Sequence, residues 1–173
     1  KQHISGQFNA ELDAMKNHLL EMGGLVEQQL SRAMASLLSR DSGQAELVVR
    51  ADRQINEMEL QIDEECSRIL ARRQPAASDL RLVLAVAKAT TDLERIGDEA
   101  TRIAKQATKL SELPSSTGTS VELRQISHHV ALMLREALDS FARLDVAKAI
   151  DVVLDDGAVD VEYDAAMSSF VQL

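Results

Sequence analysis

Five carboxylates and a carboxamide recur at helical spacing in two segments of this 173-residue chain. In Thr91–Ala100, TDLERIGDEA, Glu94 and Asp98 stand four residues apart. In the segment DRQINEMELQIDEE, Asp52 precedes Asn56 by four, and Glu59 precedes Asp63 by four. On a helix, residues four apart stack one above the other, and like charges so placed repel by about 0.2–0.5 kcal/mol. A mid-helix glycine, Gly97, adds a cost of about 1 kcal/mol relative to alanine. Oxygen-bearing side chains brought together in this way suit a hard cation such as Mg²⁺ or Mn²⁺, or iron.

Two helices must hold these groups. Val48, Ile55, Ile62 and Ile69 recur every seven residues, so a helix is expected from about Gln44 to Arg72. Pro75 stops it, and a third helix is expected from about Ala77 to Leu110, with Val83, Thr90, Gly97 and Ala104 in one row. With Val48 and Val83 at heptad position a, Asp52, Glu59 and Glu94 fall at e, and Asn56, Asp63 and Asp98 at b. A tight turn near Gln74–Ala76 makes the pair antiparallel. Glu94 is then expected level with Asn56 and Asp98 with Asp52, so the acids gather at the rim of the core. The competing reading is a solvated acidic flank. In that reading Asp98 and Arg102 form an ordinary i,i+4 ion pair, and Arg53 and Arg95 are further partners.

The rest of the chain is equally helical. A first helix is expected from near Phe8 to near Leu38, with a bend or a close backbone contact at Gly23-Gly24. Asp41-Ser42-Gly43 is a turn with an N-cap candidate. Glu112–Ser120, ELPSSTGTS, is the one linker rich in Pro, Gly and Ser. Further helices start near Val121 and near Asp145.

A shift of 104 residues aligns the last two helices with the first two without a gap. Leu19, Val26, Leu30, Ala33, Ser36, Asp41, Ala45, Val48, Val49 and Asp52 meet identical residues. Asp156 and Asp160 then occupy the slots of Asp52 and Asn56. An equivalent of Asp98 falls beyond Leu173, so the second repeat is expected to be a truncated or partly ordered product. Its two helices leave an apolar stripe uncovered, and such stripes drive association. The organisation read from this is 1–111 for the first three-helix repeat, 112–120 for the linker, and 121–173 for the second repeat without its last helix.

Composition supports an all-α bundle. Apolar residues make up 45% and aromatics 2%, with 7 glycines and 2 prolines. The net charge of −9 argues against nucleic acid or an anionic membrane surface as a direct partner and favours cations and basic protein faces. The lone Cys66 excludes an intrachain disulfide and reads as a buried thiol. No apolar run reaches the ~20 residues that span a bilayer, and KQHISGQFNAELD is no secretory signal, so a cytosolic protein is expected. His128 and His129 are adjacent and cannot chelate together; His3 and His18 read as isolated. There is no Gly-rich phosphate loop, no Glu-x-x-His pair and no Ser/His/Asp or Cys/His arrangement, so no enzyme is expected.

The string RRQPAASDLRLVLAVAKATTDLERIGDEATRIAK resembles the signature of the PhoU family of phosphate-signalling regulators. HISGQFNAELD, MGGLVEQQL, DRQINEMELQIDEECSRI, ALDSFARLD and DDGAVDVEYD are similar to the family over essentially the whole chain. The resemblance implies tandem three-helix bundles related by a pseudo-twofold axis. It implies metal-binding Glu/Asp-x-x-x-Asp motifs at Glu94–Asp98, with Glu59–Asp63 and Asp156–Asp160 as further candidates, for Mg, Mn, Fe or Zn. It implies a cytoplasmic negative regulator of the phosphate-starvation response, a homodimer that links the ATPase subunit of the phosphate ABC transporter to a sensor histidine kinase. Two departures stand out. The final helix is missing, and Arg102 stands where many members carry asparagine, so its guanidinium is expected to compete with a cation. The alternative function is a metal-binding bundle whose main role is cation storage or metal-dependent assembly; a purely structural helical module is a third.

Overall fold

A computed structural model describes residues 2–113 and 121–171. It contains α1 (Gln2–Ser39), α2 (Ser42–Arg73), α3 (Ala77–Ser111), α4 (Val121–Arg143) and α5 (Val146–Val171), and no strand among the described residues. The linker expected at 112–120 lies, from 114 to 120, outside the described residues, and so does the side chain of His3.

α1, α2 and α3 pack mutually into one bundle, and the reason is legible in their rows. On α1, Met15, Leu19, Met22, Val26, Gln29, Ala33 and Ser36 alternate steps of four and three and are all buried. On α3, Val83, Val86, Thr90, Leu93, Gly97, Ala100, Ala104 and Ala107 do the same. Large Leu, Met and Ile side chains fill one end of the core. At the other end the core narrows to Ala33, Ala45, Ala100, Ala104 and Ala107, where small side chains permit close helix packing.

The α1–α2 turn is a Schellman motif running straight into an N-cap. Arg40 is left-handed at φ 54°. Asp41 N–H donates to Ser36 O at 3.0 Å, and Asp41 Oδ1 accepts from Gln44 N–H at 3.0 Å. The α4–α5 turn repeats this. Leu144 has φ 55°, Asp145 N–H donates to Ser140 O at 2.9 Å, and Asp145 Oδ1 accepts from Lys148 N–H at 3.0 Å. The repeat found in the sequence is therefore a repeat of hydrogen bonds. The fifth helix starts at Val146, with Asp145 as its cap.

α4 packs antiparallel on α1, and among the described residues α5 packs on α4 alone. α1 runs unbroken through Gly23-Gly24, and the expected close contact is at Gly23: a Cβ there would collide with Leu138 of α4. Beside it, Arg135 of α4 donates through Nε to Glu27 Oε1 of α1 at 2.7 Å. Lys16 Nζ donates to Ala142 O at 3.1 Å. On the far side of α5, Val146, Ile150, Val153, Leu154 and Val161 are exposed, Val153 by 73%.

Candidate cation site on the α2–α3 rim

The α2 and α3 acids do share one flank of the bundle. Asp52 bonds to Thr101 of α3: Thr101 Oγ1 donates to Asp52 Oδ1 at 3.0 Å. Across the rim the charge of Glu94 acts on Glu59. Burial pushes Glu94 above the usual carboxylate range, and Asp98 and then Asp52 push it further, with Arg95 opposing. Burial also raises Glu59, followed by the charges of Glu94, Asp63 and Asp98. Asp52, Asn56, Glu59, Glu94 and Asp98 are half-buried, and Asp63 is exposed at the flank.

Two polar residues that the carboxylate pattern did not single out complete the site. Gln29 is 3% exposed, in the middle of the α1 core row. Its Nε2 donates to Asp52 Oδ1 at 3.2 Å, Thr101 Oγ1 at 3.1 Å and Val48 O at 3.4 Å, tying three helices together. The signal was available: a carboxamide at a position where Met, Leu and Val precede it every third or fourth residue. The Gln29 amide also explains Gly97. A Cβ at Gly97 would lie 3.1 Å from Gln29 Oε1 and 3.4 Å from Ile55. The glycine makes room for the buried amide rather than bending the helix.

The cations expected nearby are engaged elsewhere. Arg102 pairs with Glu99 at 2.6 Å, not with Asp98, because its side chain reaches back three residues rather than four. Arg53 pairs with Glu57 at 2.8 Å and Arg95 approaches Asp92 at 3.9 Å. Among the described residues no guanidinium pairs with Asp98. His18 is not isolated: its Nδ1 lies 2.9 Å from Glu65. Cys66 is buried between Met15 and Val83, and burial pushes its thiol up to about 11.

In donor chemistry the rim fits a hard cation. It offers partly desolvated carboxylates, and Asn56 Oδ1 is buried with no hydrogen-bond partner. In distance it stops short: among the described residues no three His, Cys, Asp or Glu side chains stand close enough to hold an ion as they lie. Asp52 is already committed to Gln29 and Thr101. Asp156 and Asp160 are both exposed on α5, where no described helix other than α4 packs, so they are not brought to the other acids.

Comparison with known proteins matches the PhoU domain over residues 19–107, which contain Gln29, Asp52, Gly97, Asp98 and Thr101. The chain belongs to the PhoU family. It is 54% identical over 169 residues to the phosphate-specific transport system accessory protein PhoU homolog of Pseudomonas putida, covering 98% of this chain and 66% of that protein. To the PhoU accessory protein of Escherichia coli K12 it is 45% identical, covering 94% of this chain and 67% of that one. The chain thus spans about two thirds of the length of the curated PhoU relatives it matches. The crystal structure of PhoU from Pseudomonas aeruginosa superposes with a TM-score of 0.92 at 52% identity, over 95% of this chain and 79% of that one. The PhoU fold therefore extends over all five helices. No described helix is long and apolar enough to cross a membrane.

Proposed function

We propose that this chain is an accessory regulator of phosphate-specific transport: a cytoplasmic adaptor that represses the phosphate-starvation response by linking the transporter's ATPase subunit to a sensor histidine kinase. The observation that carries the reading is the α2–α3 rim, whose acids lie in the segment matched by the PhoU domain. Its relatives are named as accessory proteins of the phosphate-specific transport system. The acidic rim suits a basic partner surface, directly or through a bridging divalent or iron cation held by Glu94, Asp98, Glu59 and Asn56. The exposed apolar face of α5 supports self-association into a homodimer.

The test is co-purification with both membrane partners at high and low phosphate. Association at high phosphate is the expected result; none with either partner overturns the adaptor. A second reading, in which the cation itself is the cargo, is favoured by the orphaned Asn56 oxygen. Asp98→Asn separates the two. A variant that holds no metal yet still represses the response supports the adaptor and overturns the cation as cargo.

A further inference from the structure

The α1–α4 seam is related to itself by the 104-residue repeat, because the two helices are antiparallel repeat mates. Each contact at one end has a counterpart at the other. At the first end, Leu138 sits against Gly23 and Arg135 bonds Glu27. Their counterparts are Met34 against Ser127, and Ser31 beside Ala131. A serine replaces the glycine notch, and the ion pair is replaced by a hydroxyl and a methyl. This end does not close. It leaves a groove of about 440 Å³ lined by all four of these residues together with Leu30, Leu38, Arg124 and His128. That is the size of an ordinary binding cleft.

The chemistry of the groove is the opposite of the molecule's. The chain carries 28 acids against 19 Lys and Arg, yet no carboxylate lines the groove among the described residues. Leu30, Met34 and Leu38 form an apolar row at i, i+4 and i+8. Arg124 and His128, one turn apart on α4, give its wall a fixed positive charge and an imidazole. What the closed end has and this end lacks is the ion pair, whose places are taken by Ser31 and Ala131. We propose that the groove docks an acidic, leucine-bearing segment of a partner protein, the carboxylate meeting Arg124 and the leucine lying on Met34 and Leu38. The groove is on the α1–α4 seam, so this docking stands apart from the cation site on the α2–α3 rim.

Fluorescence anisotropy with a labelled alanine-rich peptide carrying Leu and Glu one helical turn apart tests this on the whole chain. The expected result is saturable binding below about 1 mM that weakens about tenfold when the peptide's Glu becomes Lys, or in Arg124→Glu. Ser31→Arg with Ala131→Glu installs the ion pair of the closed end. It is expected to abolish binding while the helical circular dichroism stays unchanged, which separates a closed groove from a misfolded chain. Binding indifferent to Arg124→Glu, or no binding up to that concentration, overturns the proposal. Displacement by inorganic phosphate alone makes the groove a small-anion site and also overturns it. Self-association that Arg124→Glu abolishes makes the occupant a second copy, with the same consequence.

Discussion

Thr101 Oγ1 lies 3.0 Å from Asp52 Oδ1 and donates to it, joining α3 to α2 at the level where Gln29 enters from α1. The three side chains form one polar network, buried at Gln29 and Thr101 and half-buried at Asp52, in which Gln29 Oε1 alone is left without a partner. Such a network is stabilising when its members are paired and costly when one is removed. Thr101→Val keeps the shape and deletes the hydroxyl, so Asp52 loses a donor and the Gln29 amide an acceptor. The expected cost is about 1–3 kcal/mol of unfolding free energy, read from the urea midpoint at unchanged slope.

Two glycines in long helices should respond in opposite directions. Gly24 has open space around its Cα, so Gly24→Ala is expected to stabilise by up to about 1 kcal/mol through helix propensity. Gly97→Ala gains the same propensity but sets a methyl 3.1 Å from Gln29 Oε1, on a side chain whose amide nitrogen is held by three acceptors. Because that amide cannot retreat without breaking the network, Gly97→Ala is expected to lower stability by about 1 kcal/mol or more. Thermal unfolding of the two variants side by side decides it.

The rim acids make stability depend on pH and on cations. Glu94 and Glu59 are both raised, by burial first and by neighbouring acids second. A raised carboxyl group contributes most below its unfolded pKa of about 4.3, and that contribution is lost as pH rises through the folded value. At neutral pH the ionised pair therefore opposes folding. Glu94→Gln is expected to raise the melting temperature at pH 7 and to leave it nearly unchanged below about pH 4. Mn²⁺ or Mg²⁺ is expected to raise the melting temperature of the parent chain and to act less on Glu94→Gln. Calorimetric scans across pH, with and without the ion, read both effects.

The helical rows were legible because their period is rigid. Seven-residue spacing at Val48, Ile55, Ile62 and Ile69 admits one buried face, and all four are buried. The repeat turns were legible because Asp41 and Asp145 cap through the same atoms. The partner that Asp52 takes on α3 was not, since it depends on the path through Gln74 and Ala77. Both adopt positive φ there, at 47° and 49°, and no residue type at those positions announces it. Gln29 was overlooked because a glutamine beside Gln28 reads as surface until the core row on either side is traced. The preference of Arg102 for Glu99 over Asp98 was also beyond reach, because i−3 and i−4 partners are nearly equivalent on a helix.

His129 fastens α5 to α4 with both ring nitrogens. Nε2 lies 2.7 Å from Asp155 and Nδ1 3.1 Å from Glu162, whose other oxygen is buried without a partner. Only the imidazolium can donate at both positions, so the bond to Asp155, and next that to Glu162, raises this histidine above its usual value. On the α1–α4 seam, Glu27 of α1 is bonded to Arg135. The stabilisation is complete below about pH 6.5 and is lost as pH rises through the raised folded value. Above it, one nitrogen turns a lone pair toward a carboxylate, and the seam that alone holds α5 among the described helices loosens. Amide exchange along α5, corrected for intrinsic rates, is expected to quicken with rising pH in the parent chain. In His129→Gln it is expected to be fast and independent of pH, because an amide can donate to only one side at a time. Equal, pH-independent protection of α5 in both proteins would show that apolar packing, not the imidazolium, holds the hairpin together.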